Sequence, residues 1–126
     1  MPLKVTVTQK EPDVYIVALS GSLDSQTYPD LENALRPILK PSTKAVVFDM
    51  EHLVYISSLG LSVIFRTKEA LEEKGGTLAI TNIQPKIKEV FDAVKAIPSQ
   101  IFASMQEADE YLDAFLDDIE EEEKKE

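Results

Sequence analysis

The chain has 126 residues, 44% of them hydrophobic, which fits one globular domain with a single core. Its 13 basic and 23 acidic residues give a net charge of −10, which disfavours direct contact with nucleic acids and anionic lipid surfaces. It has no cysteine and no run near the ~18 apolar residues of a membrane helix, so we expect a cytoplasmic protein without redox chemistry or membrane insertion.

Two predicted strands open the chain. Residues 3–8 (LKVTVT) alternate apolar and polar side chains, the period of a half-buried strand. After a break at residues 11–13, residues 14–19 (VYIVAL) are almost wholly apolar, as in a strand covered on both faces. The two segments predict a β-hairpin.

A helix follows this hairpin. Residues 21–24 (GSLD) are expected to end the second strand, and Ser25 or Thr27 can cap the helix. Pro37 falls inside the apolar pattern, and an interior proline removes a helical hydrogen bond, so we expect the helix to bend or finish there. The apolar residues at helical spacing are Leu31, Ala34, Leu35 and Ile38.

The central strand and the next helix have the clearest patterns. Residues 45–48 (AVVF) form a continuous apolar run suited to a central strand, and Asp49 is expected to mark its end. From Ser58 the pattern becomes helical, until the glycine pair at residues 75–76 stops it. One stripe of this helix holds Leu61, Ile64, Phe65 and Leu71.

The remaining elements complete an α/β pattern. A strand at residues 77–81, a helix from residues 82–85 to Ile97-Pro98, a very short strand at residues 101–102 and a terminal helix over residues 107–115 are predicted. Strand-helix-strand crossovers make parallel neighbours, while the opening hairpin adds an antiparallel strand. We therefore expect one domain over residues 1–116, with a mixed, mainly parallel sheet of four to five strands and about four helices.

An acidic segment closes the chain. Residues 117–126 (DDIEEEEKKE) hold seven acids and two lysines. Their charge of −5 is half of the chain's net charge of −10. A like-charged terminus with a single apolar residue is expected to stay solvated and disordered. Docking to a basic partner is the alternative.

Two adjacent serines, Ser57 and Ser58, stand where the strand pattern turns helical. A catalytic serine needs a base, and His52 is the chain's only histidine. The segment SSLGL lacks the glycine that precedes the serine in a G-x-S-x-G nucleophile elbow, so an esterase is not favoured.

The sequence gives equally weak support for other catalytic or ligand sites. The four glycines form neither a dinucleotide-binding nor a P-loop motif. Asp24, Asp49 and Glu51 could hold a metal only if the strand ends meet, and carboxylates at strand ends more often cap or shape loops. We expect no cofactor and no metal.

Two roles therefore remain for the serines. A hydroxyl at a helix N-terminus can accept a hydrogen bond from a first-turn N–H group, and the same positive end tolerates a phosphoryl group. The residue types alone leave helix cap and phosphoacceptor open.

Two motifs resemble a known family. Residues 21–27 (GSLDSQT) are similar to the Gly-x-Leu/Ile-Asp segment of bacterial anti-sigma-factor antagonists, the single-domain members of the STAS superfamily. Residues 48–64 (FDMEHLVYISSLGLSVI) are similar to the family's strand and to the Asp-Ser-Ser/Thr-Gly-Leu loop that opens its second helix. The resemblance covers roughly residues 3–115 and implies the STAS fold.

The resemblance also implies site residues. Alignment on Gly60 and Leu61 places Ser58 at the family's phosphoacceptor, with Ser57 as the alternate. Ser57 stands where the family has an acid, and Leu59 where it has a second hydroxyl. Asp24 matches the family aspartate near this loop and is expected to support binding or phosphorylation. The implied partner-binding set is Asp24, Ser57, Leu59, Gly60 and Leu61.

Partner switching is the function that the resemblance implies. The unphosphorylated protein would bind an anti-sigma factor, often itself a serine kinase, and so free a sigma factor. Phosphorylation of Ser58 would abolish binding, and a serine phosphatase would restore it. Such a protein is not an enzyme. The alternative is a STAS scaffold, independent of phosphorylation, in a transporter or signalling complex.

Overall fold

A five-stranded mixed sheet organises the chain. The computed structural model describes residues 2–93, 101–102, 106, 110–111 and 114. Its elements in chain order are β1 (Leu3–Glu11), β2 (Val14–Leu23), α1 (Tyr28–Leu35), β3 (Ala45–Ile56), α2 (Ser58–Glu73), β4 (Thr77–Thr81), α3 (Pro85–Ala93) and β5 (Ile101–Phe102).

The strands lie side by side in chain order, β1-β2-β3-β4-β5. β1 pairs with β2 antiparallel, and every later pair is parallel. A tight hairpin can join only antiparallel strands, while each helix returns the chain to the same end of the sheet. The predicted single α/β domain with a mainly parallel sheet is confirmed.

The sheet buries different side chains on its two faces. The main core lies between the sheet and the helices, where Phe48, Ile64 and Phe91 are fully buried. A smaller cluster on the opposite face joins four strand residues and is packed against Tyr111; its buried members are Val14, Ala45, Val47 and Ala79. Burial on both faces explains the continuous apolar runs of β2 and β3.

β3 is longer than the sequence predicts. Asp49 does not end it: the strand continues to Ile56, and β2 likewise continues through residues 21–23. The Asp49 carboxylate accepts a hydrogen bond from the Glu51 N–H at 3.1 Å, and the register with β2 shifts just after this point. A β-bulge accommodates such a local turn while strand pairing resumes beyond it.

The first helix ends just before Pro37. α1 stops at Leu35, and Pro37 lies in the turn that follows, as predicted. The predicted side-chain cap is wrong: Thr27 occupies the N-cap position in a helical conformation without capping the helix. Its hydroxyl instead donates to the Ser22 carbonyl at 2.8 Å.

The C-terminal predictions are only partly within the described residues. β5 is confirmed, since Ile101 pairs with Ile80 of β4. The predicted helix end at Ile97-Pro98 and the acidic segment 117–126 lie outside the described residues. Of the predicted helix over residues 107–115, only residues 110–111 and 114 are described, and they are helical. No helix of the described part is long and apolar enough to cross a membrane.

Candidate functional site

The two motifs of the sequence meet at one end of the sheet. Leu23, at the end of β2, pairs with Ile56 at the end of β3. The Ser57 N–H donates to the Leu23 carbonyl at 2.8 Å. The loop that begins at Asp24 therefore lies directly beside the first turn of α2.

Gly60 allows this close approach. A Cβ atom at Gly60 would lie 2.6 Å from Leu23 Cγ and 2.9 Å from the Leu23 carbonyl oxygen, closer than real Cβ contacts. Leu61, the next residue, is 4% exposed and belongs to the main core. These two members of the expected partner-binding set are thus buried, and they position the start of α2.

Ser57 is the helix cap. It has an extended backbone, and its Oγ accepts a hydrogen bond from the Gly60 N–H at 3.2 Å. Its carbonyl accepts the Leu61 N–H at 2.9 Å, the first hydrogen bond of the helix. Of the two adjacent serines, Ser57 therefore has the structural role at the N-cap position.

Replacement of this cap should cost stability. We expect Ser57→Ala to lower the free energy of unfolding by about 1 kcal/mol, because the Gly60 N–H loses its acceptor. Ser57→Asp should keep most of that stability, since aspartate is an equally good cap. Urea denaturation of the three proteins measures the difference. Equal destabilisation by both variants would contradict a capping role.

The Ser58 hydroxyl differs from that of Ser57. It is the first residue of α2 and is exposed, and no hydrogen bond joins its hydroxyl to another described residue. The first turn of α2 contains no acidic residue. Unpaired N–H groups and the positive end of the helix dipole therefore face this position without a compensating charge.

Asp24 shapes the neighbouring loop. One of its carboxylate oxygens accepts hydrogen bonds from the backbone N–H groups of Gln26 at 2.9 Å and Thr27 at 3.0 Å. These bonds, that of Gln26 above all, hold the pKa of Asp24 below its usual value. The resemblance does not reveal this local role, although aspartate followed by small polar residues is a known turn signal.

Three exposed apolar residues lie within four positions of Ser58 in the chain. Val54 and Tyr55 at the end of β3 are 48% and 53% exposed, and Leu59 in the first turn of α2 is 48% exposed. We call these three residues the apolar rim. The sequence prediction included Leu59 but missed Val54 and Tyr55, because it ended β3 at Asp49 and left their exposure undetermined.

His52 is paired with neither serine in the described residues. The His52 side chain is 73% exposed, and its Nε2 lies 3.8 Å from a Glu51 carboxylate oxygen. No hydrogen bond joins it to Ser57 or Ser58. Within the described ranges, no three acidic, histidine or cysteine side chains gather as metal ligands.

The chain is similar to known proteins in sequence. A family model described as the STAS domain matches residues 6–108. An "Anti-sigma-B factor antagonist" of Staphylococcus aureus is 29% identical over 92 residues, 73% of this chain and 84% of the relative.

Two solved structures share the fold. The unphosphorylated anti-sigma factor antagonist SpoIIAA has a TM-score of 0.78 at 17% identity, covering 88% of this chain and 97% of that one. The phosphorylated form of the Bacillus cell fate determinant SpoIIAA has a TM-score of 0.71 at 17% identity, covering 86% and 99%.

Proposed function

Because this chain belongs to the STAS domain family, we propose that it is an anti-sigma-factor antagonist that acts by partner switching. Its unphosphorylated form binds an anti-sigma factor, and phosphorylation of Ser58 switches this binding off. The observation that carries the proposal is the exposed hydroxyl of Ser58 at the start of α2, where that helix begins beside the end of β2.

The similar proteins support this role. The Staphylococcus aureus relative, which the chain matches over most of its length, is named an anti-sigma-B factor antagonist. The neighbouring structures are described as phosphorylated and unphosphorylated forms of SpoIIAA. The kinase and phosphatase of the proposed cycle are separate proteins, so this chain needs no catalytic residue or cofactor of its own.

Ser58 is better suited than Ser57 to accept phosphate. The Ser57 hydroxyl is half-buried and already accepts the Gly60 N–H, whereas Ser58 is exposed to an incoming kinase. A phosphoryl group on Ser58 would lie at the positive end of the α2 dipole, which favours an anion. Phosphorylation can therefore proceed without disrupting the helix.

The switch acts through charge at the contact surface. A phosphoserine adds nearly two negative charges to a chain whose net charge is already −10. Arg66, two turns along α2, lies 3.5 Å from a Glu32 carboxylate oxygen and is not available to neutralise it. The added charge therefore acts on the partner.

The apolar rim gives the partner a surface to bury. Leu59→Ser and Tyr55→Ser should each lower the affinity for the anti-sigma factor about tenfold, because a large apolar side chain at an interface contributes strongly to binding. Stability should change by less than about 0.5 kcal/mol, since both side chains are exposed. Calorimetric titration measures the affinity.

Val7→Ser is the matched control. Val7 is also an exposed apolar residue, at 37%, but it lies on β1 away from Ser58. Its replacement should leave the affinity unchanged. If all three variants weaken binding equally, the apolar rim is not the contact surface.

Phosphate mapping tests the proposal directly. The protein, Ser58→Ala and Ser57→Ala are incubated with the candidate anti-sigma kinase and ATP, and phosphate is located by mass spectrometry. We expect modification of the protein and of Ser57→Ala at Ser58, and none of Ser58→Ala. Unaltered phosphorylation of Ser58→Ala would reject the site. Partner binding that is indifferent to phosphate at Ser58 would instead favour the scaffold role.

A further inference from the structure

A basic surface lies at the end of the sheet opposite to Ser58. Residues 36–44 (RPILKPSTK), which join α1 to β3, contain three cations and no acid, in a chain with 23 acidic and 13 basic residues. The fold adds Lys74 from the end of α2, whose Nζ lies 3.4 Å from the carbonyl oxygens of Leu39 and Lys40. We call Arg36, Lys40, Lys44 and Lys74 the basic surface.

These cations are not neutralised by neighbouring carboxylates. Arg36 donates to the Asn33 side-chain oxygen at 3.1 Å, and Lys40 donates to the Tyr15 hydroxyl at 3.3 Å. Among the ion pairs of residues 2–93, none joins a member of the basic surface to an acid. The nearby Asp13 carboxylate instead accepts the Ser42 hydroxyl at 3.0 Å.

An apolar groove continues from the basic surface. It lies between α1 and α2, has a volume of about 230 Å³, and is lined by apolar residues with Arg36 and the Arg66–Glu32 ion pair at its edges. The apolar lining residues are Leu35, Leu39 and Val63. Arg36 is the cation of this lining that no acid of the described residues neutralises. An acidic segment that also carries an apolar side chain fits such a groove.

Tyr111, which precedes the chain's own acidic segment by six residues, lies close to Lys44 of this surface. The Tyr111 hydroxyl lies 3.3 Å from Thr77 Oγ1, and the Thr77 N–H donates to the Lys44 carbonyl at 2.9 Å. Asp117 follows Tyr111 by six residues, which span at most about 20 Å, and residues 117–126 add up to about 33 Å more. The whole basic surface is therefore within reach.

We propose that residues 117–126 bind the basic surface of the same molecule, with Ile119 directed to the groove between α1 and α2. Seven acids and two lysines give this segment a charge of −5 against the four cations of the surface. Attachment through Tyr111 makes the encounter intramolecular, which raises the effective concentration of the segment. The attraction is between exposed groups, so salt weakens it.

A spin label tests this contact in the full chain. Because the protein has no cysteine, Glu126→Cys gives a single labelling site. The nitroxide should broaden the amide NMR signals of Lys40, Lys44 and Lys74, but not those of Ser58 and Gly60 at the other end of the sheet. The broadening should disappear at about 1 M NaCl, where the Debye length falls to about 3 Å.

Two variants separate binding from mere proximity. The broadening should fall to its high-salt level in two variants of the labelled chain. One carries Glu→Gln at all four positions 120–123, and the other is Lys40→Gln/Lys74→Gln. The matched control Lys86→Gln/Lys88→Gln, on α3, should leave it unchanged. Broadening that is the same in all these proteins would overturn the proposal, since a segment that only diffuses near its attachment point does not depend on charge.

A mixed sample identifies the molecule that is bound. Spin-labelled protein without isotope is combined with isotope-labelled protein that carries no spin label. Intramolecular binding predicts no broadening in this mixture. Broadening of the same strength as in the singly labelled chain would show that the segment binds a second copy instead, and would overturn the proposal.

Discussion

Ser58→Asp should lower the affinity for the anti-sigma factor by at least about 100-fold. A charge that is desolvated at a contact surface without a counter-charge costs about 3 kcal/mol or more, and each 1.4 kcal/mol is tenfold. The side chain lies at the exposed start of α2, beside the apolar rim that we expect the partner to cover. Calorimetric titration of the purified proteins measures the loss. Ser58→Ala should bind like the unchanged protein.

Stability separates this effect from misfolding. The first turn of α2 has no acid, and a carboxylate there interacts favourably with the helix dipole, so Ser58→Asp should fold at least as stably as the parent. Ser62→Asp is the matched control, with the same charge one turn further along the exposed face of the helix. An equal loss of affinity in both variants would contradict a switch specific to Ser58.

Gly60→Ala should destabilise the protein by about 2 kcal/mol, the cost of forcing an extra methyl group into a packed site. The new Cβ would lie 2.6 Å from Leu23 Cγ and 2.9 Å from the Leu23 carbonyl oxygen, and a backbone atom cannot move aside cheaply. Helix propensity alone predicts the opposite sign, since alanine is favoured over glycine by about 1 kcal/mol within a helix. Urea denaturation determines which effect prevails.

Ser62→Ala in the same helix is the control for propensity. Ser62 is exposed, so its replacement should be neutral or slightly stabilising. Gly60→Ala should also weaken partner binding, because α2 must move away from Leu23 and displace Ser58. If Gly60→Ala were as stable as Ser62→Ala, the packing of α2 against the end of β2 would not require glycine.

Most of the fold could be predicted from local patterns. The alternation of β1, the apolar runs of β2 and β3 and the stripe of α2 each follow from a period of two or of about 3.6 residues. Pro37 marked the end of α1 for a purely local reason. The order of the elements then implied a mixed, mainly parallel sheet, because handedness and short connections leave few alternatives.

The wrong predictions concern residues whose local signal is overridden by strand pairing or by a hydrogen bond to another part of the fold. Asp49 is a normal strand terminator, yet β3 continues to Ile56 because β2 pairs with it beyond a shift in register. Thr27 is a normal cap residue, but its hydroxyl bonds to Ser22. The exposure of Val54 and Tyr55 depended on the same extension of β3.

The class of fold, the family resemblance and the candidate position of the phosphoacceptor follow from residue types and their spacing, so the amino-acid sequence was sufficient for them. Three-dimensional packing was needed to show that Ser57 caps α2 while the Ser58 hydroxyl stays exposed, and that Gly60 and Leu61 are buried. Hydrogen-bond partners and burial depend here on the approach of β2 to α2 through Leu23, a contact between residues more than 30 positions apart.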